Sequence, residues 1–180
     1  MEEKIRCFIA VHFPSETTKE IVRVQKELEK KKIFEGKLTE KENLHLTLKF
    51  FGEISSKELE QFREKLRTIK FEKFSAKLGK IGVFGPSLVK IIWIEVLGKV
   101  SDLQKKIDEA LKGLFRPEKR FMSHLTIARV KNVIDMNFFQ KLGMTKVDPS
   151  DFEIGEFYLM KSVLGPTGPT YSVIEKFELN

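Results

Sequence analysis

His-Leu-Thr-Leu at 45–48 returns as His-Leu-Thr-Ile at 124–127, 79 positions later in a chain of 180 residues. Each copy lies in a run of alternating apolar residues, LHLTLKFF (44–51) and SHLTIARV (123–130), and each follows a helical stretch by a loop. Successive side chains of a strand point to opposite faces. Leu44, Leu46, Leu48 and Phe50 are therefore expected to face the helices, with His45, Thr47 and Lys49 on the other side. In the second copy His124 and Thr126 share a face, and Leu125 and Ile127 turn to the core. Two similar strand-and-helix lobes meeting through their polar faces would line one groove with two imidazoles and two hydroxyls.

The rest of the chain divides in keeping with that repeat. Residues 5–13 alternate as a strand, with Ile5, Cys7, Ile9 and Val11 on one face and Arg6, Phe8, Ala10 and His12 on the other. Pro14 and Ser15 mark a turn and an N-cap for a helix to about Lys31, with Ile21, Val24 and Leu28 as its buried stripe. A looser segment leads to Asn43. Gly52 is expected to end the first motif strand, and Ser55-Ser56-Lys57-Glu58 has capping-box spacing for a helix that buries Leu59, Phe62, Leu66 and Ile69. Strands at 74–83 and 89–97 flank a turn at Gly85-Pro86-Ser87. Ser101 is placed to cap a third helix with Leu103, Ile107, Ala110, Leu111 and Leu114 inward. A short amphipathic piece at 137–142 precedes two closing strands, 152–164 and 171–179, joined by the turn GPTGPT at 165–170.

Composition narrows the function classes. With 41% hydrophobic residues the chain has core enough for one compact domain or two small packed lobes. No apolar stretch approaches the roughly 20 residues needed to span a bilayer. The start, Met1-Glu2-Glu3-Lys4, lacks a signal-peptide pattern, so a cytoplasmic location is expected, and a monomer is the default for a chain of this size. Cys7 is the only cysteine, which excludes an intrachain disulfide or a Cys-based zinc site and reads as a buried thiol. His12, His45 and His124 would supply a zinc triad, yet none stands at ligand-pair spacing and no carboxylate cluster accompanies them, so neither metal nor cofactor is expected. The net charge of +7 suits a polyanionic partner such as nucleic acid and equally suits a solvated Lys/Glu surface.

The paired motifs point to phosphoryl chemistry. Breaking a phosphodiester needs a deprotonated nucleophile and a protonated leaving oxygen, and two imidazoles that titrate near neutrality supply both. The hydroxyls of Thr47 and Thr126 can donate to non-bridging oxygens as negative charge grows there. Arg129, five positions after His124, would hold a phosphate through its planar fork, but strict alternation sends it to the wrong face unless a bulge, twist or strand end intervenes. Lys49 reads equally as a phosphate contact on the His45 face or as a solvated lysine. Tyr171 reads equally as a groove residue or a strand tyrosine. His12 reads as a surface or wall residue, and Trp93 with most phenylalanines as core, leaving one or two aromatics to stack on a base.

RCFIAV (6–11), NLHLTLKFFGE (43–53), GVF (82–84), IIW (91–93) and SHLTIARV (123–130) resemble the 2H phosphoesterase superfamily, specifically its RNA 2′,3′-cyclic phosphodiesterases, historically named 2′-5′ RNA ligases. The resemblance covers nearly the whole chain. It implies an α+β fold over residues 1–180, bilobal, with two pseudo-twofold-related lobes whose antiparallel sheets line a central cleft and whose helices lie outside. It also implies opening of an RNA 2′,3′-cyclic phosphate to a 2′-phosphomonoester, or 2′-5′ joining of RNA ends such as those of tRNA; an RNA-end or nucleotide binder without catalysis is the reading outside enzymes. Carried over by position, His45 is the proton donor to the departing 3′ oxygen, His124 takes the proton from water, and Thr47, Thr126 and Arg129 bind the phosphate. The spacing alone leaves open which histidine is acid and which base. Ser123 stands where many relatives have proline, a change confined to the start of the strand.

Overall fold

The two motif strands lie side by side at the middle of one curled antiparallel sheet. This computed structural model describes residues 4–85, 88–166 and 168–180; Pro86, Ser87 and Thr167, which belong to the two expected turns, and the first three residues lie outside the described residues. In chain order the elements are β1 (Lys4–Val11), α1 (Ser15–Lys31), β2 (Phe34–Leu38), a short 3-10 turn (Lys41–Asn43), β3 (Leu46–Ser55), α2 (Ser56–Leu66), β4 (Phe74–Phe84), β5 (Ile91–Leu97), α3 (Val100–Ala110), β6 (His124–Val133), α4 (Phe138–Gly143), β7 (Asp151–Ile154), β8 (Glu156–Gly165) and β9 (Gly168–Glu178). The sheet order is β7-β4-β5-β6-β3-β1-β8-β9, with β2 added to β6. Cut between β6 and β3, it leaves four strands on one side and four on the other with β2 as a fifth beside β6, each side with its motif strand at the seam. The fold is the expected α+β arrangement of two related halves around a cleft.

The repeat runs deeper than the two tetrapeptides. The buried face of α1 is Ile21, Val24, Gln25 and Leu28; that of α3 is Val100, Leu103, Gln104 and Ile107. Each residue of the second set lies 79 positions after its counterpart, the spacing of the histidines. These helices pack on the core side of the sheet, where Leu46, Leu48, Leu125 and Ile127 are all but inaccessible. A small second cluster of Phe8, Ala10 and Met160 lies on the cleft side, with Tyr158 and Tyr171 against it. No helix among the described residues is long and apolar enough to cross a membrane.

Four local expectations are corrected. Ser55 caps α2 with the full reciprocal box to Glu58, but Ser15 and Ser101 do not cap: α1 and α3 begin from Pro14 and Lys99 with no side-chain cap bond. Gly52 does not end its strand. It takes φ +74 within β3, which continues to Ser55. The looser segment after α1 contains β2, which pairs with β6 from Phe34↔Val133 to Leu38↔Ala128. The run 152–164 breaks at Gly155, sending β7 to one half beside β4 and β8 to the other beside β1.

β2 seats so closely on β6 that Gly36 has no room for a side chain: a Cβ there would lie 2.1 Å from the carbonyl oxygen of Arg129. Backbone cannot yield as a flexible side chain does. Gly36→Ala is therefore expected to lift β2 from β6 and lower the unfolding free energy by about 1–3 kcal/mol, read as a lower urea midpoint. An unchanged midpoint would show that the two strands are not packed this closely.

Candidate active site

β3 and β6 meet through one antiparallel pair, Leu46↔Leu125. One step either side, that register sets His45 opposite Thr126 and Thr47 opposite His124. The two histidines are then diagonal neighbours, roughly 7–8 Å apart with their Cβ atoms somewhat closer, a spacing that leaves room for a group between the rings. All four side chains line one cavity of about 450 Å³, together with Arg129. The structure thus brings together the two histidines, the two threonines and the arginine assigned to the site.

Both rings are anchored in the same way. His45 Nδ1 lies 2.7 Å from the Asn43 carbonyl oxygen, and His124 Nδ1 lies 2.8 Å from that of Met122. A carbonyl only accepts, so Nδ1–H is the donor in each ring, and Nε2 is left as the working nitrogen. Here the halves diverge. Thr47 Oγ1 is 3.1 Å from Nε2 of His45 and donates to it, whereas Nε2 of His124 has no hydrogen-bond partner among the described residues. Phe8 and Tyr171 pack on the His45 ring at 5.0 and 5.1 Å, and Phe84 packs edge-on to His124 at 4.9 Å. Burial pushes His45 down from 6.5 to about 4, the Asn43 carbonyl opposes this, and the nearby His12 adds to it.

The difficulty over Arg129 is solved by a bulge. Ile92 pairs with Ala128 but Trp93 pairs with Thr126, so Ile127 is an extra residue on β6. Ile127 and Ala128 are both buried, and alternation resumes one residue out of phase, turning Arg129 to the side of His124 and Thr126. The amide of Gln25, reaching from α1, donates 2.8 Å hydrogen bonds to the Ile127 and Thr39 carbonyls and pins the bulge.

The first motif strand carries the same irregularity at the equivalent place: Ile9 pairs with Lys49 and Ala10 with Thr47, leaving Leu48 extra. This overturns two expectations. Lys49 does not face His45; it is 3% exposed on the core side, in an ion pair with Asp108 and a 2.8 Å hydrogen bond to the Arg116 carbonyl. Phe50 does not face the helices; it lines the cleft, 47% exposed, at the position that Arg129 holds in β6.

Of the residues left open, Tyr171 lines the cleft and packs on His45. His12 stacks on Tyr158 at 4.4 Å and does not line the cavity. Trp93 is buried on the cleft face of β5, beside His124. Arg6 was missed as a site residue. It lines the cavity, and parity had placed it on the outward face of β1, which was the available signal. Both Arg129 and Arg6 oppose the rise that burial causes in the Tyr171 hydroxyl, as two cations converging on one region would. Among the described residues no three His, Cys, Asp or Glu side chains stand close enough together to hold a metal ion.

The family model for LigT-like phosphoesterases matches residues 11–93 and 95–171. The chain is 36% identical, over 96% of its length and 100% of the relative's, to a Methanocaldococcus jannaschii protein named RNA 2′,3′-cyclic phosphodiesterase. It is 34% identical to a Methanothermobacter thermautotrophicus protein of the same name, over 98% of this chain and 100% of that one. Among solved structures, TT0787 of Thermus thermophilus superposes with a TM-score of 0.84 at 25% identity, covering 97% of both chains. Apo LigT of Escherichia coli superposes at 0.80 and 20% identity, covering 99% of both.

The burial of His45 has a consequence for stability. Its folded value of about 4 lies below the 6.5 of a solvated imidazole, so between those values the unfolded chain holds a proton that the folded chain does not. Stability attributable to this ring is therefore present above 6.5 and is lost as the pH falls towards 4, by up to ~3 kcal/mol. Urea unfolding at a series of pH values should show a shallower acid loss in His45→Gln than in the wild type. Parallel curves would mean that the ring is solvated.

Proposed function

The chain belongs to the LigT-like phosphoesterase family, and on that footing we propose that it opens a 2′,3′-cyclic phosphate at an RNA end to a 2′-phosphomonoester by acid–base catalysis between His45 and His124. The observation that carries this reading is the pair of histidines, each tied through Nδ1 to a carbonyl two residues back, with both rings lining one cavity beside two threonines and an arginine. The names of the curated relatives supply the substrate class.

In this mechanism water attacks phosphorus and the bond to the ribose 3′ oxygen breaks. His124 Nε2, without a hydrogen-bond partner among the described residues, accepts the water proton. His45 Nε2 gives a proton to the departing oxygen. Thr47, Thr126 and the Arg129 fork hold the non-bridging oxygens, where charge accumulates. His45 is neutral in the empty cleft at pH 7, so its role as acid requires the substrate: a phosphodiester anion against Nε2 favours the imidazolium and displaces the Thr47 hydroxyl towards an oxygen of its own. The same lowered pKa favours a second reading with the roles exchanged, His45 as base and His124 as acid.

Incubation of a short RNA ending in a 2′,3′-cyclic phosphate should yield a 2′-phosphate end, with His45→Ala and His124→Ala each lowering kcat by about 10²–10⁴-fold. A 3′-phosphate product, or full activity in either variant, counts against the proposal. An aryl phosphodiester, whose leaving group needs no proton, assigns the roles. It should restore turnover to His45→Ala and not to His124→Ala; the reverse pattern would exchange acid and base.

A further inference from the structure

The cleft holds a row of hydrogen-bond donors that the phosphoryl chemistry leaves unused. Ser162 of β8 pairs with Tyr171 of β9. One step beyond the Cys7↔Lys161 pair, Arg6 of β1 comes opposite Ser162. All three side chains line the cavity. Ser162 is only 7% exposed, yet its hydroxyl has no hydrogen-bond partner among the described residues. The Tyr171 hydroxyl has none there either, and burial raises it, so it stays protonated at neutral pH. Arg6 forms no ion pair among the described residues; its guanidinium lies over the Phe50 ring, 4.8 Å from the centroid. A guanidinium only donates, and a buried polar group without a partner is costly. Three such groups in one row call for an anion.

This row stands apart from the reacting phosphate. In the mechanism above, that group is held at the seam between β6 and β3, whereas Ser162 lies two strands beyond β3, roughly 10 Å across the sheet. Tyr171 joins the two regions, because its ring packs on His45 at 5.1 Å. We propose that Arg6, Ser162 and Tyr171 form a second phosphate subsite, which takes the phosphodiester on the 5′ side of the terminal nucleoside while the cyclic phosphate lies between the histidines. This rests on the RNA-end reading above. Every RNA chain end carries that phosphodiester one ribose away from the cyclic phosphate, and a free nucleoside 2′,3′-cyclic phosphate lacks it. The subsite therefore selects chain ends over mononucleotides. It does so without reading sequence, since phosphate contacts position a strand and carry no base information. It also sets direction: the chain leaves over β1 and β8, on the side away from Arg129.

The test compares adenosine 2′,3′-cyclic phosphate with the same compound carrying a methyl phosphodiester at its 5′ oxygen. In kcat/KM the wild type should prefer the second by about 10- to 100-fold. Arg6→Gln should bring the two values within a few-fold of each other. Ser162→Ala and Tyr171→Phe should each lower the preference by about 2- to 10-fold. Both substrates are measured on one preparation of each variant, so any loss of folded enzyme cancels from the ratio. Equal wild-type values, or an undiminished preference in Arg6→Gln, overturns the subsite. Calorimetric binding of adenosine 2′-phosphate, with and without the 5′ methyl phosphodiester, separates the subsite from the hydrolase. Tighter, Arg6-dependent binding of the diester form, without turnover of either cyclic compound, would sink the hydrolase and leave the subsite standing. Turnover blind to the 5′ group would do the opposite, and failure of the wild type to bind either compound would remove both.

Discussion

Everything in the cleft depends on one backbone pair, Leu46 with Leu125, through which the two halves share a sheet. Because equivalent strands meet there antiparallel, a residue one step from the pair on β3 faces one a step away in the other direction on β6. That places each histidine opposite the other motif's threonine and makes the histidines diagonal neighbours. The apolar partners Leu46 and Leu125 are fully buried beneath helix faces that repeat at the same 79-residue interval. Burial on one face therefore specifies the register, and register specifies the site: a slip of one residue on either strand would send that strand's histidine into the core.

Backbone symmetry here serves chemical asymmetry. Matching bulges follow the two motifs, yet the residues turned by them differ: Phe50 against Arg129 in the cleft, and Lys49 against Ala128 on the core side. The bulges are also held differently. Gln25 pins the one at Ile127 from α1, while Gln104, its counterpart on α3, bonds instead to Asp108, the partner of Lys49. A carboxylate beside a nearly inaccessible ammonium, with the amide of Glu118 also donating to it, ties β3 to the segment that leads into the second motif. Removing one member of such a pair costs far more than the pair contributes, since the other is left charged and unpaired. Unequal surroundings are what two imidazoles need if one is to give a proton while the other takes one.

Much of this was legible in the sequence, over the distances where simple periodicity holds. His45 with Thr47 and His124 with Thr126 could be placed because only two residues of alternation separate them. One step further the reading failed on Lys49 and Phe50, because nothing in LTLKFF marks Leu48 as an extra residue. The reason Lys49 turns inward is Asp108, 59 positions away. Arg129 gave the one hint, since its chemistry suited the groove while its parity did not. β2 was hidden because FEGKL has little strand character of its own; its hydrogen bonds come from β6, and its glycine is required by closeness to that strand. Gly155 likewise separates two strands whose destinations at opposite halves of the sheet are set by tertiary pairing.

The central claim is that His45 and His124 address one phosphorus from two sides. A crystal structure of the protein with inorganic phosphate bound tests it most directly. The account predicts a single anion within hydrogen-bond distance of Nε2 of both rings, with the hydroxyls of Thr47 and Thr126 turned to its oxygens. Phosphate held by one histidine alone, or seated elsewhere with both Nε2 atoms bare, would contradict it.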